Sequence, residues 1–354
     1  MNGINKPFSL DRAKYCFVLI AYCILELGFL RLNAQERIRV VSYNVENLFD
    51  TKDNPEKEDD EFLPDGLMKW NSYKYWTKLK NITRVLTAIG EMESPALVGL
   101  VEVENDSVLF DLTKRSPLRT QKYEFLCTNS PDIRGVNIGL LYQRDKFKVL
   151  YKMEYPVIRK NARPTRNILH VSGRVISGDT LDVFVCHFPS RRGGQIASEP
   201  YRIKAAQTLK AKTDSLFAVR HLANILIMGD FNDHPDDKSL SSTLMAVSPK
   251  DASPTGKELV NLFLEKVREQ NYGTYKFQGQ WELIDQFIVS ANLLSSDSPI
   301  SLVKDSPRIF CPDFLQQKDE TYGGVKPYRT YSGPNYIGGF SDHFPIILDL
   351  QVND

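Results

Sequence analysis

Cysteine and histidine are scarce in this chain, with five of each among 354 residues. No Cys/His cluster has the spacing of a zinc site, and the cysteines are too few for a disulfide scaffold, so a core must hold the fold. Charge of one sign is also missing. The 45 basic and 44 acidic residues give a formal net charge of +1, which supplies no global attraction to nucleic acid. Any polyanion must be held by a local patch or by bound cations. No internal repeat and no Ser/Gly linker divides the chain. A content of 42% hydrophobic and 25% charged residues is typical of a globular protein with a sizeable core.

Long apolar runs are absent apart from one near the start. Lys6, Arg12 and Lys14 precede the run from Phe17 to Leu30, and Ala34 supplies a small residue before Gln35. The run is shorter than the roughly 20 residues needed to span a bilayer and contains Glu26. Residues 1–34 therefore read as a cleaved signal peptide rather than an anchor. That implies an exported protein, periplasmic or extracellular, with no membrane span after cleavage. Cleavage removes Lys6, Arg12, Lys14, Arg31, Asp11 and Glu26, leaving 41 bases against 42 acids. Cys127, Cys186 and Cys311 remain, enough for one disulfide at most.

From residue 36 to 354 one domain is expected. Short β-branched or apolar runs recur at Ile38 to Tyr43, Leu97 to Val103, Asn137 to Tyr142, Leu181 to Cys186, Ile225 to Met228, Leu283 to Val289 and Ile346 to Leu350. These predict buried strands. Leu79, Ile82, Leu86 and Ile89 fall at helical spacing. So do Ile203, Ala206, Leu209 and Leu216 within a helix from Tyr201 to Val219. Strands with intervening helices indicate an α/β fold. Cys311 to Phe340, rich in Gly, Pro and Tyr, reads as a long loop, either ordered or mobile.

Polar groups able to do chemistry repeatedly follow the predicted strands. "VVSYNVENLFD" carries Asn44 and Glu46, "VGLVEVEN" carries Glu102 and Glu104, and "VFVCHFPSRRGG" carries His187. "ILIMGDFND" carries Asp230 and Asn232, "WELIDQFIVS" carries Asp285, and "GGFSDHFPI" carries Asp342 and His343. Such a succession predicts convergence at one edge of stacked sheets. Carboxylates and amides with few nitrogens suit Mg²⁺ or Mn²⁺. Phosphoester hydrolysis needs a cation for the phosphoryl oxygens, a base for water and support for the leaving oxygen, and this inventory holds all three.

In that order, "SYNVEN", "GLVEVEN", "HFPSRR", "GDFND", "WELIDQF" and "SDHFPI" resemble the endonuclease/exonuclease/phosphatase superfamily, in its DNase I-like and exonuclease III-like branches and as a secreted bacterial type. The resemblance implies a four-layer α/β sandwich, two packed mixed β-sheets flanked by helices, with the site at the strand ends. It implies that Asn44, Glu102 and, through water, Asp342 serve the metal. Asp230 and Asn232 would orient water or stabilise pentacovalent phosphorus, and Asp285 would orient the base His343. His187 matches the DNase I-like histidine. An imidazole near its ordinary pKa of about 6.5 would suit a base at neutral pH.

Several readings stay open on sequence. Glu46 and Glu104 are metal contacts or solvated strand-end acids. Arg191 and Arg192, in a basic Gly-Gly loop after His187, hold substrate phosphate or form a solvated turn, and Arg134, Arg163 and Arg166 are weaker candidates of the same kind. Tyr322, Tyr328, Tyr331, Tyr336 and Phe340 either stack on bases or pack their loop. His170, His221 and His234 fall outside the motifs. "WELIDQF" departs from the inositol-polyphosphate 5-phosphatase pattern, and "HFPSRRGG" departs from that of bacterial sphingomyelinases. Export conflicts with intracellular abasic-site repair. The expected activity is thus that of an exported, monomeric nuclease with nucleic acid as substrate and no stable protein partner. Sphingomyelinase-like or phosphomonoesterase activity comes second, and a non-catalytic binding protein is the remote alternative.

Overall fold

The computed structural model describes residues 36–159, 162–253 and 257–353; the expected signal peptide lies outside them. β1 (Glu36–Leu48) is followed by α1 (Ser72–Gly90), the parallel β2 (Leu97–Val103), the short α2 (Asp106–Phe110), β3 (Glu124–Cys127) and β4 (Asn137–Tyr142). A second sheet begins with β5 (Lys148–Tyr155), β6 (Ile168–Arg174) and β7 (Thr180–His187). It continues after α3 (Gln195–Val219) with β8 (Asn224–Asp230), β9 (Ala246–Val247) and β10 (Leu259–Asn261). The hairpin of β11 (Tyr275–Phe277) and β12 (Gln280–Glu282) precedes its last member, β13 (Asp285–Ser290). β14 (Ile300–Leu302) and β15 (Arg308–Ile309) return to the first sheet. Two hairpins follow, β16 (Gln316–Lys318) with β17 (Val325–Pro327) and β18 (Tyr331–Ser332) with β19 (Asn335–Tyr336), before β20 (Ile346–Val352) ends the fold.

The spatial orders are β14-β20-β1-β2-β4-β3, with β15 also on β20, and β5-β6-β7-β8-β13-β10-β9. Both sheets mix parallel and antiparallel pairs. Side chains alternate across each strand, so every strand serves two layers. Val40, Leu97, Val101 and Leu140 meet Val183, Leu226, Met228 and Phe287 between the sheets. Val41, Val98 and Leu100 face Leu79, Ile82 and Leu86 of α1. On the far side Phe184, Ile225 and Ile227 face Ala205, Leu209 and Leu216 of α3. The result is the expected four-layer sandwich. Gly99 lies on the inner face, where a Cβ would come within 2.9 Å of Met228 Cε, so its lack of a side chain lets the sheets close.

The seven predicted strands are present, extended by one to five residues at some ends, while Leu283 and Ile284 fall before β13. β3, β5 and β6 carry no comparable apolar signal. β6 buries His170 and Ser172 within its run, and β5 is an edge strand with exposed Leu150, Tyr151 and Met153. α3 starts six residues earlier than its apolar pattern, at Gln195. Arg202 is among its buried residues, paired with Asp233 at 2.6 Å, while Ile203 is only half-buried. Cys127, Cys186 and Cys311 are all free. The stretch from Cys311 to Phe340 is ordered by its two hairpins, and Tyr331 and Phe340 enter the core beside Tyr328 and Tyr336. Those aromatics pack the loop; Tyr322 is exposed. Among the described residues no helix is long and apolar enough to cross a membrane.

Candidate active site

Strand direction explains why the motifs meet. β1 and β2 run parallel, as do β7 and β8, so Asn44, Glu102, His187 and Asp230 arrive at carboxyl ends of their strands. β13 runs antiparallel to β8 and begins with Asp285 directly opposite Asp230. His343 bridges to Tyr275 and stacks on its ring at 4.8 Å. Local backbone strain is present here: Glu46, Asn47, Glu102 and Asn232 all have φ between +51° and +65°. Left-handed non-glycine residues cost roughly 1–2 kcal/mol each and persist only where surroundings fix them. Gly229, at φ +141°, has no alternative, because a Cβ would lie 1.9 Å from the Cys186 carbonyl oxygen.

The side chains form one linked set. Asn44 Nδ2 donates to Asp230 Oδ2 at 3.1 Å, and the Asn232 amide donates to Asp230 Oδ1 at 2.8 Å. Glu102 Oε2 accepts the Asn47 amide at 2.9 Å. His187 Nε2 stands 3.8 Å from both Glu102 and Asp230, and its buried Nδ1 has no partner among the described residues. His343 Nδ1 pairs with Asp285 Oδ2 at 2.7 Å, and Thr274 Oγ1 donates to the same oxygen at 2.6 Å. His343 Nε2 lies 4.0 Å from Asp230 and from Asp342. Asp230, Asp285 and His343 thus bring ligand-type atoms within 4.8 Å of one another. The short His343–Asp285 bond gives them the geometry of an oriented base.

These groups line or support a cleft of about 660 Å³. Arg192 is exposed on its rim beside Gly193 and Gly194. Arg191 is turned inward: it pairs with Glu282 and with Asp237 at 3.3 Å, and donates to the Asn232 carbonyl at 2.7 Å. Its guanidinium ties loops together, while Arg192, in the same lining, makes no such ties among the described residues. Arg134 and Arg166 also line the cleft, whereas Arg163 forms an exposed pair with Glu58. Glu104 is buried away from the cleft against the Asp50 amide, and its carboxyl is pushed up to about 7 by burial. His170 is a core residue, bonded to Asp182 at 3.0 Å and stacked on Phe184.

Lys78, Asn81 and Arg329 belong to no sequence motif, yet they support the site. Lys78, fully buried on α1, donates to the Phe340 carbonyl at 2.7 Å and to Thr330 Oγ1, and Glu46 lies 3.8 Å away. One turn on, Asn81 donates to the carbonyls of Gly338 and Gly339. The helix therefore clamps three successive carbonyls just before Ser341-Asp342-His343. Glu46 is occupied by the Thr330 amide at 2.6 Å and by Arg329, which also binds Asp342 at 3.0 Å. Lys78 and Asn81 sit at i, i+3 on a polar stripe of α1, a signal visible in sequence but without a visible partner.

Burial and crowding set the charges. Burial, with Arg166 and Arg134 nearby, holds the His187 imidazole well below its usual range, so it is neutral. Burial first, then Asp285, pushes Asp230 up to about 7; burial, then Glu46, pushes Asp342 up to about 6. Burial alone would lower His343, but the charge and hydrogen bond of Asp285, with Asp342 and Asp230, outweigh it and carry the ring up to about 10. The ordinary value expected of a base is therefore not what this environment gives in the absence of a cation. Asp342, one of the carboxylates that raise the ring, is also suited to holding a cation, and the ring's proton affinity falls when it is neutralised.

The donor set fits a hard divalent ion. Among the described residues, hydrogen bonds engage Glu102 Oε2 and Asp342 Oδ2 and leave Glu102 Oε1 and Asp342 Oδ1 without one in a cleft that also holds Asp230, while Asn44, behind Asp230, accepts the Glu46 amide on its Oδ1 at 3.0 Å. Oxygen ligands without thiolates suit Mg²⁺ or Mn²⁺.

Residues 39–352 match the family profile described as the endonuclease/exonuclease/phosphatase family. Among solved structures the chain is similar to a humanized D. rerio TDP2, at TM-score 0.54 and 16% identity, covering 89% of this chain and 98% of that one. It is similar to a mannosyl-6-phosphatase of Bacteroides thetaiotaomicron at 0.53 and 16%, covering 88% and 99%. The human Nocturnin catalytic domain with bound sulfate aligns at 0.52 and 14%, covering 90% and 95%. At such identities the likeness speaks to the fold. No match was found among curated protein sequences.

Proposed function

Since the chain belongs to the endonuclease/exonuclease/phosphatase family, we propose that it is a divalent-metal-dependent phosphodiester hydrolase, an exported nuclease cleaving DNA or RNA. The observation that carries this reading is the His343–Asp285 pair, whose Nε2 meets Asp230 and Asp342 inside an acidic cleft with a basic rim. In it, His343 Nε2 takes the proton of the attacking water while Asp285 holds Nδ1–H and the ring orientation. Asp230, fixed by Asn44, and Asn232 orient that water. Neutral His187 donates a hydrogen bond to a phosphoryl oxygen. Arg192 holds the flanking phosphate. Glu102, Asn44 and Asp342 would hold Mg²⁺ or Mn²⁺, which neutralises the phosphoryl oxygens when bound.

The test is incubation of the purified chain lacking residues 1–34 with Mg²⁺ and a panel of duplex DNA, single-stranded DNA, RNA, sphingomyelin and sugar or inositol phosphates. Cleavage of nucleic acid, abolished by EDTA, is expected. Turnover confined to sphingomyelin or to phosphomonoesters would replace the nuclease reading, and inactivity across the panel would leave a binding protein.

A further inference from the structure

A second cavity, of about 430 Å³, lies beside the catalytic cleft. Its walls are apolar: Phe62, Leu67, Met68, Trp70, Tyr331 and Pro334. Glu46, Asn47 and Arg329 also line it. The partition from the cleft is one residue thick, because the Asn47 amide donates to Glu102, Asn47 Oδ1 accepts from Arg134 at 2.6 Å, and Arg329 binds Asp342. These contacts fix both side chains. They also leave Arg329 Nη1 and Asn47 Nδ2 without a hydrogen-bond acceptor among the described residues.

We infer that this pocket receives the nucleobase of a nucleotide substrate and favours bases that present a ring carbonyl. The size falls in the usual range of small-molecule sites, roughly 300–1,000 Å³. Apolar walls suit a flat ring, and two fixed donors call for an acceptor on it. The Glu46 carboxylate in the lining opposes an anion there, so the phosphate stays in the adjoining cleft and the acceptor is neutral; a carbonyl oxygen, with two lone pairs, can take both donors at once. An acyl chain would strip water from both donors and satisfy neither. Adenine, which has no carbonyl and whose ring nitrogens each accept a single bond, is the disfavoured base. The inference rests on the phosphodiesterase reading, and names which substrates that reading takes.

The experiment compares methyl p-nitrophenyl phosphate with the p-nitrophenyl phosphodiesters of thymidine and deoxyadenosine, esterified at the 5′ position. All share one leaving group, so differences report the retained alcohol. The thymidine ester should exceed the methyl ester about tenfold or more in kcat/KM, mainly through KM, and exceed the deoxyadenosine ester by a similar factor. Leu67→Arg and Pro334→Arg, at exposed lip positions remote from the reacting groups, should erase the preference and leave methyl ester turnover unchanged. Equal rates on all three, or a preference that survives both substitutions, would overturn the inference. Saturation-transfer NMR with thymidine and deoxyadenosine needs no turnover. A thymidine signal that is present in the wild type and vanishes in Leu67→Arg would uphold the pocket even in a protein that hydrolyses none of the esters, a result that would sink the phosphodiesterase reading alone. Equal signals from both nucleosides in wild type and variant would sink the pocket.

Discussion

The sharpest test of the catalytic assignment is the double-mutant cycle on His343 and Asp285. The two meet through a 2.7 Å bond between Nδ1 and Oδ2, both buried, with Thr274 as the other donor to that oxygen. His343→Ala removes a general base, worth roughly 10² to 10⁴ in kcat, or about 2.7–5.5 kcal/mol of barrier. Asp285→Asn keeps an acceptor in place and removes its charge. A hydrogen bond to a charged group is worth roughly 1.5–3 kcal/mol, so this variant should lose roughly 10- to 100-fold. Because Asp285 acts only through His343, the double mutant should be little slower than His343→Ala. The assay is steady-state turnover of the thymidine ester at saturating Mg²⁺, with circular dichroism melts to confirm folding. The pH profile adds a sign. Activity needs the unprotonated ring, so the rate rises with pH through its apparent pKa. Asp285 stabilises the charged ring, so Asp285→Asn should move that rising limb to lower pH while depressing the plateau. A folded His343→Ala enzyme with near-normal kcat, or losses that multiply in the double mutant, would refute the pair.

Four further outcomes are expected. Glu102→Gln should raise the Mg²⁺ concentration for half-activation about tenfold or more, since an amide is a poorer ligand than a carboxylate; a metal titration of activity reads this. Arg192→Ala should raise KM for DNA and lower the slope of log KM against log salt by about 0.9, the contribution of one phosphate contact, with kcat kept. In EDTA, thermal stability should fall from pH 5 to 9. Asp342, Asp230 and His343 have folded pKa values raised to about 6, 7 and 10, so the stability they contribute is full below their unfolded values and lost as pH rises through the folded ones. Added Mg²⁺ should accordingly raise Tm more at pH 8 than at pH 5, read by calorimetry. Mass spectrometry of the exported protein should find residues 1–34 absent; an intact Met1 or Asn2 terminus would reject cleavage.

Much of this was legible because buried strands in a two-sheet sandwich are covered on both faces and read as short β-branched runs. A functional side chain at a strand's end then stands out directly after such a run, as Glu102 does after Leu97 to Val101 and Asp230 after Ile225 to Met228. Contacts between distant segments leave no such trace. Lys78 meets Phe340 across 262 positions, and Arg329 meets Glu46 across 283. Nothing local distinguishes Arg191, drawn inward by Glu282 and Asp237, from the adjacent exposed Arg192. β6 stayed hidden for a different reason: His170 and Ser172 break its apolar pattern, and only the fold supplies Asp182, Tyr155 and Arg220 to satisfy them.

The site's charges follow from where compensation is available. Glu46, Glu102, Asp230, Asp285 and Asp342 converge at one sheet edge, and buried carboxylates are tolerated only when paired or neutralised. Glu46 and Asp342 share Arg329, and Glu46 also has Lys78. Asp285 has the His343 imidazole. Asp230 and Glu102 have amide donors and a His187 that is itself held neutral, and although the His343 charge favours ionised Asp230, burial and Asp285 still raise its proton affinity. Arg329 and Lys78 are thus committed to the Glu46 and Asp342 side of the cleft, while Arg134 and Arg166 stand near His187 without an ion pair to Asp230 or Glu102. Asp230 and Glu102 line the cleft without an Arg or Lys partner of their own among the described residues, and under the proposed reading the phosphodiester brought there adds negative charge. Under that reading a divalent ion would offset both charges, while α1, through Lys78 and Asn81, holds the backbone just before Ser341-Asp342-His343.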